Sequence, residues 1–198
     1  TQSILNAYDE SGFMPEWASP GHRECMIGNN SISLLTDAWM KGIRTICPEK
    51  ALEAMIHQTE ARHPGISSVG RDGFGYYDRL GYVPYPEVHE ATAKTLEYAY
   101  ADWCVARFAD SIGRKEIADT YYRKALNYRN LYYPDYGFMW AKDANGKWRD
   151  AFDATEWGGP FTEGSSWHWT WSVLHDPEGL SRLMGGHTAV SYTHLTLP

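Results

Sequence analysis

The chain has 198 residues and a formal net charge of -7, from 18 Lys and Arg against 25 Asp and Glu. That length is one ordinary domain or a piece of a larger one, and an acidic balance without any local basic run excludes the footprint of a nucleic-acid binder. No apolar stretch approaches the roughly 20 residues a membrane helix needs, so no membrane span is expected. Thr1-Gln2-Ser3-Ile4 is no charged signal-peptide start; the sequence does not open on Met, and localisation is not legible there.

From Ser31 to Lys41, Ile32, Leu35, Ala38 and Trp39 recur at helical spacing, with Asn30 or Ser31 as the cap and Gly42 as the stop. A second helix runs from Pro48, at the favoured first position, to about Ala61, with Leu52, Met55 and Ile56 on one face and His63-Pro64-Gly65 as the break. The two predict an αα-hairpin. Gly65 to Pro86 is rich in Gly, Tyr, Arg and Pro and reads as a long loop. Its run Gly70-Arg71-Asp72-Gly73-Phe74-Gly75 neither follows a strand nor ends in Gly-Lys-Ser/Thr, so no nucleotide site is indicated.

A third helix is expected from about His89 to Ile112, with Leu96, Tyr100, Trp103 and Phe108 as its buried stripe and Gly113 as its stop. A fourth, Lys115 to about Tyr133, carries Ile117, Tyr121, Ala125, Tyr128 and Tyr132. Asp143-Ala144-Asn145-Gly146, between Phe138-Met139-Trp140 and Lys147-Trp148-Arg149, predicts a small inserted β-hairpin. Asp150 to Gly164 reads as loop and Ser165 to Leu174 as a short helix, and Asp176-Pro177 opens a helix that closes near Gly185-Gly186. Residues 1–187 make up the domain so read. Thr188 to Pro198 has neither formal charge nor helical period, and 188–198 is expected to be a non-native or disordered tail. Successive αα-hairpins with long aromatic-rich loops on alternate connections predict an all-α fold, part of an α/α toroid rather than a four-helix bundle.

Aromatic residues are 15% of the chain, and six of its 9 Trp lie between Trp140 and Trp171. Such density suggests a wall that stacks on sugar rings, beside the plainer reading of buried aromatics. Within that stretch Glu163 is the sharpest candidate. A carboxyl held among indole rings would be desolvated and its pKa raised, as a general acid requires; the alternative is a first-turn glutamate with Thr162 as cap. Glycoside hydrolysis needs a second carboxylate, and Asp150, Asp153 and Glu156 are near in sequence without any being compelling. His168 could donate to a sugar hydroxyl or sit satisfied in the core, and His175-Asp176 marks the start of a helix. Cys25, Cys47 and Cys104 form no C-x-x-C pair, and Cys25 lacks a His or Asn at nucleophile spacing, so its expected role is packing or lining a pocket. No H-E-x-x-H spacing occurs, and no metal ligands are assigned.

Taken together, these stretches bear a likeness to a known family: Gly12-Phe13-Met14-Pro15-Glu16-Trp17, Cys25-Met26-Ile27-Gly28, Asp37-Ala38-Trp39-Met40-Lys41-Gly42-Ile43, Gly81-Tyr82-Val83-Pro84, Thr95 to Trp103, Phe161-Thr162-Glu163-Gly164 with Trp167, and His175 to Leu180. The chain resembles the catalytic domain of glycoside hydrolase family 92, exo-acting α-mannosidases, chiefly α-1,2. The resemblance implies an (α/α)6 barrel packed on an N-terminal β-sandwich and a calcium-dependent, inverting release of terminal mannose from glycans, N-glycans among them. It implies that Glu163 is the general acid and that Trp17, Glu24, Cys25, Trp167 and His168 contact the sugar, with His168 standing where the family commonly has Gln. It implies export to a periplasm or cell surface. The family's general-base aspartates and much of its calcium site are expected in motifs that do not occur before Pro198, and the sandwich is missing as well, so this chain alone is expected to be inactive. Another (α/α)6 carbohydrate-active enzyme and a non-catalytic glycan-binding helical domain remain the alternatives.

Overall fold

The computed structural model describes residues 1–17, 21–23, 25–65 and 69–195, with backbone only over 192–195. The architecture is helical: α1 (Gln2–Ser11), α2 (Asn30–Met40), α3 (Pro48–Glu60), α4 (Phe74–Leu80), α5 (Ala91–Ser111) and α6 (Lys115–Lys124), a 3₁₀ segment (Ala125–Leu131), strands β1 (Tyr132–Tyr133) and β2 (Phe138–Met139), then α7 (Ser166–Trp169), α8 (Pro177–Leu183) and α9 (His187–Leu195). None of these helices is long and apolar enough to cross a membrane.

The spine is α5. Helices α2, α3, α6 and the 3₁₀ segment all pack on it, and its residues enter each apolar cluster: Val105 and Phe108 beside Leu35 and Met55, Leu96 and Ala99 beside Tyr128 and Met139, Ala91 and Tyr98 beside Tyr77 and Val83. The single stripe expected on this helix is therefore corrected. Ala93, Ala99, Ala101, Ala106 and Ala109 are buried as well, because small side chains let neighbours approach on several faces, and a helix buried all round loses its amphipathic signature.

Helices α2 and α3 fall where periodicity places them, but the cap expected at Asn30 or Ser31 is corrected by one or two residues, since both lie inside α2. The cap of α2 is Asn29, whose Oδ1 accepts from the Ser31 N–H at 3.0 Å, and Pro48 opens α3. Asp176 caps α8 by accepting from the Gly179 N–H at 2.9 Å.

Five further expectations need correcting. The helix expected from Ser165 to Leu174 closes after one turn, as α7 ends at Trp169. The supposed long loop contains α4, whose glycine-rich ends mask a turn held in place by the buried Tyr77. The fourth helix stops at Lys124 and tightens into the 3₁₀ segment, where Asn130 Nδ2 donates to the Gly81 carbonyl at 2.9 Å. The ladder pairs β2 with β1, Tyr132 opposite Met139 and Tyr133 opposite Phe138; the Asp143–Gly146 turn also forms, but supports only the single bridge Lys142 to Trp148. Finally, the chain after Gly186 continues as α9, its first turn closed by Val190 N–H to Gly186 O at 3.2 Å.

Candidate active site

Glu163 sits on a loop whose shape is set locally. The Gly158 N–H donates to the Gly164 carbonyl at 2.8 Å and the Phe161 N–H to the Gly158 carbonyl at 3.1 Å, closing a tight circuit. Trp169 pins it from outside: its Nε1 donates to the Thr162 carbonyl at 2.8 Å. Within that circuit Glu163 has a left-handed backbone, φ 45°, which costs a residue with a Cβ about 1–2 kcal/mol. A side chain held in that conformation is aimed by its surroundings rather than by its own preference.

Glu163 lines a cavity of about 270 Å³ together with Cys25, Met26, Ile27, Gly28, Asp72, Glu90, Lys94, Tyr98 and Thr162. One wall is the 25–28 segment. It lies directly over α5, where a Cβ on Gly28 (φ 71°) would stand 3.0 Å from Glu97 Cβ and 3.3 Å from its Oε2. Only glycine fits that close, left-handed approach.

A second wall is Asp72, held from three sides. Lys94 Nζ lies 3.0 Å from its Oδ2, Arg62 Nη1 lies 2.7 Å from its Oδ1, and the Tyr98 hydroxyl donates to its carbonyl at 3.0 Å. Its neighbour Arg71 anchors the segment in the core: Nη2 donates to Asp102 Oδ1 at 2.7 Å and to the Tyr98 carbonyl at 3.1 Å, and the Tyr77 hydroxyl donates to Asp102 Oδ2 at 2.8 Å.

Glu97 is the ionisable group beneath this floor. Among the described residues its carboxylate has no hydrogen-bond or ion-pair partner, Tyr100 and Cys104 are among its neighbours, and burial pushes it from the ordinary 4.5 up to about 7. A folded pKa above the unfolded one means the folded state keeps its proton longer, so stability falls as pH rises through this window. Glu97→Gln is expected to match the wild type near pH 4 and to exceed it above pH 7 by about 1–3 kcal/mol. Denaturant midpoints at the two pH values check this; a difference independent of pH would contradict it.

The structure brings Glu163 and Cys25 together and separates the other expected sugar contacts. Trp17, 50% exposed, lines a different cavity of about 660 Å³ with Glu16, His22 and Leu34. Trp167 packs edge-on against Phe138 with ring centroids 4.6 Å apart. His168 accepts from the Ser165 N–H through Nδ1 at 3.2 Å and meets Trp157 edge to face, so it is neither buried in the core nor in the wall of this cavity. Glu24 lies outside the described residues.

The dry indole cage expected around Glu163 is corrected too, because Glu163 is exposed. The tryptophans of this stretch serve packing instead: Trp140 is buried, Trp148 stacks on Tyr133 at 4.4 Å, and Trp157 alone of them is held out, 65% exposed. Nor is Glu163 a first-turn glutamate, since α7 starts after Ser165. The nearby carboxylates are engaged: Lys147 pairs with Asp150, Thr155 donates twice to Asp153, and Arg149 grips Glu156 with two 2.8 Å bonds.

The sequence model of the glycosyl hydrolase family 92 catalytic domain matches residues 1–193. The chain belongs to glycoside hydrolase family 92. Among solved structures of the family, it is 80% identical, with a TM-score of 0.95, to an inverting mannosidase from Bacteroides thetaiotaomicron VPI-5482, covering 96% of this chain and 26% of that one. An α-mannosidase from Bacteroides thetaiotaomicron is 31% identical with a TM-score of 0.87, covering 96% of this chain and 25% of that one. An uncharacterized secreted glycosidase of Arthroderma benhamiae is 25% identical over 218 residues, 93% of this chain and 28% of its own length. The family 92 chain described here thus spans about a quarter of the length of these relatives. Its helices are those of the family's (α/α)6 barrel.

Among the described residues no three His, Cys, Asp or Glu side chains converge so as to hold a metal ion.

Proposed function

We propose that the whole family 92 protein of which this chain is a part releases terminal mannose from α-mannosides, chiefly α-1,2-linked, with inversion at the anomeric carbon, and that Glu163 is the general acid. The observation that carries this is Glu163 itself: a glutamate on a strained, closed loop that lines a polar cavity together with Cys25. The inverting mannosidase 80% identical to the chain supports the sugar and the stereochemistry.

In this reading Glu163 gives its proton to the glycosidic oxygen as the C1–O bond breaks and the electron pair passes to that oxygen. Water attacks C1 from the opposite face and loses its proton to a second carboxylate about 6.5–9.5 Å from the first. The family resemblance implies that this base, like the ligands of any calcium ion, lies in the rest of the barrel, and Asp150, Asp153 and Glu156 are engaged in local contacts. The chain alone is accordingly expected not to turn over. Export is proposed too, in line with the secreted glycosidase it resembles.

The test is mannose release from α-1,2-, α-1,3- and α-1,4-linked mannobioses by the whole protein, with calcium and after chelation. Fastest release from the α-1,2 sugar, lost on chelation, is expected. Release from none would overturn the mannosidase reading, and release by residues 1–198 alone would overturn the placement of the base elsewhere.

A further inference from the structure

The general acid is not the only strained glutamate at this cavity. Glu90, from which α5 starts, has φ 56°, a conformation that glycine would hold without strain. Its backbone is clamped by the loop that carries Glu163: the Glu90 N–H donates to the Gly159 carbonyl at 3.1 Å, and the Thr92 and Ala93 N–H groups donate to the Pro160 carbonyl at 3.0 and 3.2 Å. The two strained residues thus face one cavity and share one support.

The side chain of Glu90 is 25% exposed and lines the cavity. Among the described residues its carboxylate receives no hydrogen bond, and its ionic neighbour is the exposed His89, 3.8 Å away. Lys94 follows one turn later on the same helix face, only 13% exposed, with Nζ 3.0 Å from Asp72 and donors to spare. Tyr98 continues that face. An acceptor able to take two hydroxyls beside a fixed donor is the chemistry that recognises neighbouring sugar hydroxyls, and a position that served only stability would favour glycine.

We propose that Glu90 binds the terminal sugar, accepting hydrogen bonds from two adjacent hydroxyls while Lys94 donates to one of them. The identity of the sugar as mannose rests on the mannosidase reading; the role of Glu90 in gripping it is separate.

The experiment uses the whole protein with Glu90→Gly and Glu90→Gln. Glu90→Gly relieves the backbone while deleting the carboxylate, so its denaturation midpoint should equal or exceed that of the wild type while kcat/KM on α-1,2-mannobiose falls by about 10- to 100-fold. With α-mannosyl fluoride, whose leaving group needs no proton, Glu163→Gln should recover and Glu90→Gly should remain impaired. With substrates lacking one hydroxyl on the terminal ring, the wild type should lose rate on the analogue missing the gripped hydroxyl, and Glu90→Gln should lose little more. Wild-type kcat/KM in Glu90→Gly, or unchanged discrimination among the deoxy sugars in Glu90→Gln, would overturn the proposal. Calorimetry with free mannose separates the two readings. Binding that weakens in Glu90→Gly supports the grip even where the wild type releases no mannose, and equal binding by both proteins sinks it.

Discussion

Glu163→Gln in the whole protein is expected to lower kcat on α-1,2-mannobiose by about 10²- to 10⁴-fold, the usual contribution of a positioned proton donor, with KM changed little. Gln keeps the shape and polarity of the side chain but has no proton to give to the glycosidic oxygen. The structure makes the substitution interpretable, since Glu163 is exposed and its loop is held by backbone bonds and Trp169 rather than by its own carboxylate, so folding should be untouched. The diagnostic is leaving-group dependence: activity on α-mannosyl fluoride should return towards the wild-type rate. A uniform loss on both substrates would mean that Glu163 binds or shapes the site without protonating, and wild-type activity on the disaccharide would remove it from the chemistry.

Asp102→Asn is expected to destabilise the protein by about 3–5 kcal/mol, because it leaves a buried guanidinium without its counter-charge. Arg71 and Asp102 are 4% and 0% exposed, and Arg71 lies against the rings of Tyr77 and Tyr98, so water cannot replace the lost partner. The consequence should reach the cavity, as Arg71 is bonded to Asp102 and adjoins Asp72, and Asp72 holds Lys94. Arg71→Met with Asp102→Leu should recover much of the stability, since paired apolar residues of similar volume commonly replace a buried ion pair without loss. Denaturant unfolding of the three proteins decides it. An Asp102→Asn midpoint equal to that of the wild type would mean the pair contributes nothing.

Helices α2 and α3 were legible because their apolar residues fall on one face and Pro48 marks the start of α3, although in the run Asn29-Asn30-Ser31 the sequence does not say which polar residue caps α2. What was missed lacks such signals. In α4 glycine-rich flanks outweigh the spacing of Phe74, Tyr77 and Leu80, and the helix is held by burial of Tyr77, which no local rule reports. The 3₁₀ tightening after Lys124 continues a helical period, so periodicity could not mark it. At the site, Glu163 and Cys25 were named from chemistry and family likeness, and they line one cavity. Trp17 and Trp167 were named from the family likeness alone, and among the described residues neither lines the cavity of Glu163. Glu90, Lys94 and Tyr98 stand at i, i+4 and i+8, a helical face open to reading in the sequence; reading α5 for apolar burial alone passed over it.

The measurement that bears most directly on the central claim is proton NMR of the whole protein acting on α-1,2-mannobiose, following the anomeric signals of the first mannose released. Inversion through Glu163 and a distant base predicts β-mannose first, with the α anomer appearing only by mutarotation, and no signal from Glu163→Gln on the same timescale. Initial release of α-mannose, or release that persists unchanged in Glu163→Gln, would contradict the account.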